Sequence, residues 1–349
     1  MESIPASVLA ALVGLSGGLV LGLAGRLGDF CTLGALERAY YGGDQRRLRL
    51  WGIVLGTAIL ASFALDAAGM IDLTALPYHQ IAWNPVASVV GGLVFGYGMA
   101  LAGNCGFGAL TRLGGGDLRS FVVVIVIGIV GFMAMNGPFA EARILLFPEI
   151  QTGASHQGYA HLLAGLTNLP PFIFAALIAS GLVTWALVHD GLRAHPGQIA
   201  WGVAAGLAIA SAFWGTYAVN QASLNQTIVE GHTFTAPLGR TLLWLMTSSA
   251  GGISFSVGSV SGVLAGAFAG SLIKGRFRWE ACEDPRELGR QIIGAALMGV
   301  GGVVALGCSI GQGLSAFATL AYSAPVTLAA IVIGGLLGLR HMLIGFEPE

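Results

Sequence analysis

The sequence predicts an all-α, polytopic membrane protein of about nine transmembrane helices with re-entrant half-helices and internal inverted repeats. Three observations carry that prediction. Hydrophobic residues make up 55% of the 349 and charged residues only 9%, with a mean hydropathy of +0.79, whereas a soluble chain carries roughly 25% charged residues to cover itself. Apolar stretches of about 17 to 21 residues recur along the whole chain, each enough to cross roughly 30 Å of hydrocarbon. The 55 glycines lie inside those stretches, where Gly lets helix backbones approach closely or lets helices break. A formal net charge of −1 gives no reason to expect a nucleic-acid partner. Four cysteines without a CxxC pair make neither a zinc site nor a disulfide framework. The amino terminus lacks the basic region of a secretory signal, so its first apolar run is a span.

The predicted spans fall near 6–24, 50–69, 84–102, 120–136, 170–189, 199–218, 257–273, 291–307 and 324–341. Segments 29–41 and 103–113 are too short to cross and read as half-helices dipping into the membrane. Basic residues set the orientation. Arg46, Arg47 and Arg49, Arg112 and Arg119, Arg193, the cluster from Lys274 to Arg290, and Arg340 mark cytoplasmic segments, whereas 70–83, 137–169 and 219–236 hold only Arg143 and face outside. Nine spans then place the amino terminus outside and the carboxyl terminus in the cytoplasm. That count requires 237–253 to enter and leave on the outer side, as expected from a Ser/Gly-rich stretch over Thr247 to Gly262 with few strong helix formers. Residues 1–349 are expected to form one transport domain with pseudo-symmetric halves of about 1–170 and 171–349.

Three segments align without gaps as G-x4-G-x8-C-x2-G: Gly17, Gly22, Cys31 and Gly34; Gly91, Gly96, Cys105 and Gly108; Gly294, Gly299, Cys308 and Gly311. The first two copies also share Leu36 and Arg38 with Leu110 and Arg112. The predicted orientation runs copies one and two inward and copy three outward, the mark of inverted-repeat transporters with a midplane site. A fourth copy is faint: Gly197, Gly202 and Ser211 keep the spacing, but Trp214 replaces the last glycine. Gly103, Asn104, Gly106 and Gly108, and again Gly307, Ser309 and Gly311, hold too much glycine for stable helix. Backbone unwound at that depth is tolerated only inside protein or along a cavity. Each cysteine is thus expected on a loop beside the amino terminus of a following half-helix, which attracts anions.

An apolar setting keeps a thiol neutral, a weak donor and a soft, polarisable contact. Soft sulfur suits it better than a hard oxyanion does. The expected substrate is therefore a small anion with a sulfur end, thiosulfate being the simplest, bound weakly enough to be released.

At these residues the chain resembles the sulphur-transport (YeeE/YedE, thiosulfate permease) family over nearly its whole length. G-N-C-G-F-G-A-L-T-R around Cys105 and A-L-G-C-S-I-G-Q-G around Cys308 carry the likeness most specifically. The resemblance implies a multi-pass protein of the bacterial inner membrane that takes up thiosulfate or a related sulfur compound, with Cys31, Cys105 and Cys308 on the pathway. It also raises a cytosolic sulfur-carrier protein of the TusA type as a partner besides the lipid bilayer, and selenium compounds as alternative substrates. Cys282 matches nothing in the family and reads as a plain cytoplasmic thiol.

Other candidates have plainer readings beside the functional one. Asn104, Ser309 and Gln312 adjoin the cysteines and either bind substrate oxygens or satisfy loop backbone. Arg26 and Asp29 flank the first cysteine and pair with each other, or serve the path. Asp66 reaches water at a span end. Arg240 opens the re-entrant candidate and draws anions, or is a surface charge. Asn220, Gln221, Asn225 and Gln226 read as an ordinary outer loop, and the tryptophans as interface anchors. His156 and His161 share a helix face poorly, so neither a metal site nor a cofactor is read, and no P-loop is present. The leading function is a non-enzymatic thiosulfate importer. The alternatives are a membrane sulfurtransferase forming a cysteine persulfide, which needs a thiolate with no His or Lys near the motifs, or a transporter of another small solute.

Overall fold

The computed structural model describes residues 5–150, 157–224, 226–249, 251–281 and 284–344; His156, Asn225 and Cys282 lie outside them. In chain order the helices are α1 (Ala6–Leu27), α2 (Thr32–Gly42), α3 (Arg46–Ala67), α4 (Pro77–Gln80), α5 (Pro85–Ala102), α6 (Gly106–Leu113), α7 (Leu118–Asn136) and α8 (Ala140–Leu146). They continue with α9 (Tyr159–Thr167), α10 (Pro171–Leu187), α11 (Asp190–Arg193), α12 (Pro196–Ala222), α13 (Ala236–Thr247), α14 (Phe255–Ile273), α15 (Pro285–Val304) and α16 (Ser323–Ile344).

Each of the nine apolar stretches is helical, and the architecture is that of an all-α polytopic membrane protein. Among the described residues, seven helices, two of them counted with the half-helices that follow them, are long and apolar enough to cross a membrane. α10 is shorter, at 17 residues, and α15 carries Arg286, Glu287 and Arg290 in its first two turns. Length and composition alone therefore do not assign those two as crossings.

Glycine rows set the helix directions. Gly14, Gly18 and Gly22 of α1 lie against Phe255, Ser259 and Val263 of α14, so the two run parallel. A methyl on Gly18 would sit 2.3 Å from the Ser259 carbonyl oxygen; only glycine admits a backbone that close. Gly92 and Gly96 of α5 face Thr327 and Ile331 of α16, again parallel. α15 is antiparallel to α5, with Gly301 beside Gly91 and Gly294 beside Gly98. Copies two and three of the repeat thus run in opposite directions, as the charge pattern requires.

The same rows settle α13. α12 is antiparallel to α1, with Trp201 at Gly28 and Val13 at Gly215, whereas α14 is parallel to α1. The chain reverses once between α12 and α14, so α13 does not traverse the bundle; at 12 residues it rises only about 18 Å. The weak-helix expectation over 247–262 is too broad. The break is confined to the interval between Thr247 and Phe255, because helix resumes where Phe255, Val257 and Val260 are buried.

Local signals start the helices where expected. Asn84 accepts from the Val86 and Ala87 N–H groups ahead of α5, with Pro85 at its first position; Asp117 caps α7 through the Arg119 N–H. Both devices satisfy donors the first turn leaves open.

Candidate functional site: three thiols at broken helices

Four short segments bring their amino-terminal ends to one place inside the bundle. α2 starts at Thr32, directly after Cys31, and α6 at Gly106, directly after Cys105. α13 starts at Ala236, and a π-helical turn, Gly311–Ala316, follows Cys308. The Thr32 hydroxyl joins the three repeats: it donates to Ser309 Oγ at 3.2 Å and lies 4.0 Å from Cys105 Sγ. The sulfurs of Cys31 and Cys105 flank Gly108, at 3.8 and 3.7 Å from where its Cβ would stand.

Two of the three thiols meet backbone N–H groups, whereas Cys31 precedes α2 without a side-chain cap hydrogen bond. Cys105 Sγ accepts from Gly108 N at 3.4 Å, and Cys308 Sγ from Gly311 N at 3.3 Å and Phe234 N at 3.2 Å. Cys105 and Cys308 are each 1% exposed and Cys31 is half-buried. All three are free. Rings enclose the place: Phe30 packs on Trp51 with centroids 5.1 Å apart, and Phe107 on Phe234 at 5.5 Å. Trp51, buried here, is thus no interface anchor.

The loop residues divide. Gly103 closes α5 in the left-handed region at φ 73°, and Gly307 has φ 155°; both conformations favour glycine. Gly106 is glycine because a Cβ would lie 2.4 Å from the Phe234 carbonyl oxygen. Gly311 leaves room for Thr233, whose Oγ1 would be 2.4 Å from its Cβ. Gln312 satisfies loop backbone, donating to the Leu306 oxygen at 3.1 Å, and its Oε1 accepts from Ser323. Asn104 donates to Ser120 at 3.4 Å, while its buried Oδ1 has no partner.

Several expectations are corrected. Copy three is followed by the π-helical turn rather than an α-helical half-helix. Arg26 does not pair with Asp29: Asp29 bonds Arg47 at 3.4 Å and Lys274 at 3.9 Å, and Arg26 turns to the Gly115 backbone. The faint fourth copy is not a break, since α12 runs unbroken through Gly202 to Trp214 and Ser211 bonds back to the Ala208 oxygen. The stretch 219–236 is not wholly an outer loop. Val229, His232, Phe234 and Thr235 are buried, so the chain descends to Cys308 before α13 begins.

That descent holds the residues sequence reasoning missed, Thr233 above all, whose hydroxyl lies 3.6 Å from Cys308 Sγ. A signal was present: Thr233, Ala236, Leu238 and Arg240 keep the spacing of Cys105, Gly108, Leu110 and Arg112, with Thr for Cys and Ala for Gly.

Two cavities flank the place. One, of about 400 Å³, is lined by Thr233, Thr235, Gly307, Arg143, Arg240 and Glu149 among others. The other, of about 490 Å³, lies at the end of the bundle that gathers the basic loops and is lined by Arg26, Arg112, Arg119, Arg276 and Arg278 with Asp117 and Glu280. Arg112 and Arg240, which hold matching places in the repeat, thus stand at opposite mouths. The cavity at Arg112 is rich in positive charge, the one at Arg240 holds arginines paired with Glu149 and Glu230, and the interior between them offers soft, weak donors. Among the described residues no group of three or more His, Cys, Asp or Glu side chains is placed to hold a metal ion.

Comparison with known proteins finds relatives that share most of the chain's length. The thiosulfate transporter TsuA of Escherichia coli (strain K12) is 26% identical over 338 residues, 93% of this chain and 92% of that protein. The protein of the same name from Spirochaeta thermophila is 24% identical over 336 residues, 92% of this chain and 96% of that protein. The family model for sulphur transport matches residues 26–337, nearly the whole path from the first broken helix to the last span, and the chain belongs to that family.

Proposed function

We propose that this protein carries thiosulfate across the bacterial inner membrane into the cytoplasm, past Cys308, Cys105 and Cys31 in turn. The observation that carries this reading is the meeting of three repeats at one buried point, with two thiols flanking Gly108 and a third within reach of the outer cavity. The relatives' printed names supply the substrate. On this reading the amino terminus lies outside, the carboxyl terminus lies in the cytoplasm and nine helices cross the bilayer, and the distribution of basic loops supports it. The halves, about 1–170 and 171–349, then form one inverted pair around the site. Gly103, Gly106, Gly108, Gly307 and Gly311 hold the loops, and Asn104, Ser309 and Gln312 set their polar surroundings.

The steps are non-covalent. Among the described residues the hydrogen-bond partners of the cysteine sulfurs are hydroxyls and backbone N–H groups; no imidazole or amine is placed to draw off a thiol proton, which a nucleophilic cysteine needs. The arginine-lined inner cavity is where a cytosolic carrier of the TusA type would receive the sulfur anion.

The test is uptake of radiolabelled thiosulfate by cells that lack their own sulfate and thiosulfate importers and express this protein, with unlabelled sulfate, sulfite and selenite as competitors. Saturable uptake resisted by sulfate supports the reading. No uptake, with the protein shown to be in the membrane, overturns it.

A further inference from the structure

Thr233 stands to Cys308 as Cys31 stands to Cys105. In one half, Cys31 precedes the half-helix α2, and its sulfur lies beside Gly108, three residues after Cys105. In the other half, Thr233 precedes α13, and its hydroxyl lies beside Gly311, three residues after Cys308. The supporting helices follow the same relation, since α12 is antiparallel to α1 and α15 to α5. The repeat spacing agrees, with Leu238 and Arg240 in the places of Leu110 and Arg112. The fourth position of the ring therefore exists and carries an oxygen where the other three carry sulfur.

A second, independent observation points to a ligand. Thr235, two residues on, is 2% exposed, and its Oγ1 has no hydrogen-bond partner. It lines the same cavity of about 400 Å³ as Thr233. A buried hydroxyl left unpaired is costly, and an acceptor oxygen entering that cavity would satisfy it.

Resting on the thiosulfate reading above, we propose that Thr233 and Thr235 form the oxygen-recognising end of the site, on the Arg240 side of Cys308. Hydroxyls are hard donors suited to sulfonate-type oxygens, and the thiol of Cys308 is a soft contact for sulfur. The pair orients the anion, oxygens to the threonines and sulfur to Cys308, and favours substrates that carry both kinds of atom.

The test is the concentration dependence of thiosulfate uptake by Thr233→Val, Thr235→Val and Thr233→Ser in the importer-deficient cells, with membrane amounts matched. Valine keeps the shape and removes the donor. Each valine variant is expected to raise the half-saturating concentration about tenfold, the loss of one hydrogen bond to a charged ligand, and Thr233→Ser to stay within about twofold of wild type. Thr235→Val breaks no hydrogen bond within the protein, so it stays informative should Thr233→Val fold poorly. Wild-type half-saturation in both valine variants would overturn the inference while leaving the transporter reading intact. Absence of uptake by the unmodified protein would instead overturn that reading.

Discussion

Replacing Gly108 by alanine should separate transport from folding. The added methyl would stand 3.7 Å from Cys105 Sγ, 3.8 Å from Cys31 Sγ and 3.3 Å from Asn104 Cβ. The two sulfur distances are ordinary contacts, and Asn104 has only to yield a few tenths of an ångström. Gly108 lies inside α6, where alanine is favoured over glycine by about 0.5–1 kcal/mol. Stability should therefore hold or rise slightly. On the proposed path the methyl nevertheless fills the space between two thiols that a passing anion would touch. Forcing an extra methyl into an occupied site costs about 1–3 kcal/mol, and 1.4 kcal/mol is a factor of ten, so uptake should fall about ten- to a hundredfold. The assay pairs radiolabelled thiosulfate uptake with thermal melting of the purified protein in detergent. Wild-type uptake by a Gly108→Ala protein of unchanged stability would refute the placement of the path between Cys31 and Cys105.

Two further outcomes follow from contacts elsewhere. Gly96→Ala should do the opposite of Gly108→Ala: its methyl would lie 2.0 Å from the Ile331 oxygen and 2.8 Å from the Gly335 nitrogen, both backbone, so α5 and α16 must part. A lower melting temperature, from a cost of about 1–3 kcal/mol or more, is expected, and an unchanged one would contradict the close packing. In the loop between α2 and α3, Arg46 holds the Asp44 carboxyl down at about 2 from its ordinary 3.8. A lowered folded-state value stabilises at pH above about 4 and is lost as pH falls through about 2. Asp44→Asn should thus slightly lower the melting temperature at neutral pH, and the difference should vanish near pH 2; a difference constant across that range would refute the assignment.

How much of this was legible in the sequence depends on which periods the residues kept. Long apolar stretches gave the helices, because lipid and protein interior both demand continuous apolar side chains. The half-helices α2 and α6 were legible because 29–41 and 103–113 are too short to cross and because the glycines from Gly103 to Gly108 disfavour continued helix. Opposite directions of copies two and three followed from arginines in the loops. The descent of Thr233 to Cys308 was hidden, since a polar stretch containing Asn220 and Gln226 reads as loop whether it stays at the surface or turns inward. The fourth position escaped for a related reason: threonine and alanine replace cysteine and glycine, and only the leucine and arginine spacing survives. The partners of Asp29 are Arg47 and Lys274, which reach it from distant parts of the chain; a linear reading pairs neighbours and cannot see them. The π-helical turn after Cys308 likewise depends on tertiary packing, with Leu314 and Ala316 wholly buried.

The central claim is that thiosulfate passes successive thiols, and serine in their place tests it most directly. Radiolabelled thiosulfate uptake would be compared for wild type, Cys105→Ser, Cys308→Ser and Cys282→Ser in cells lacking their own importers. The account predicts uptake by wild type and Cys282→Ser and loss of uptake, at equal membrane amount, by the other two. Equal uptake by all four would leave a transporter whose cysteines play no part in its path.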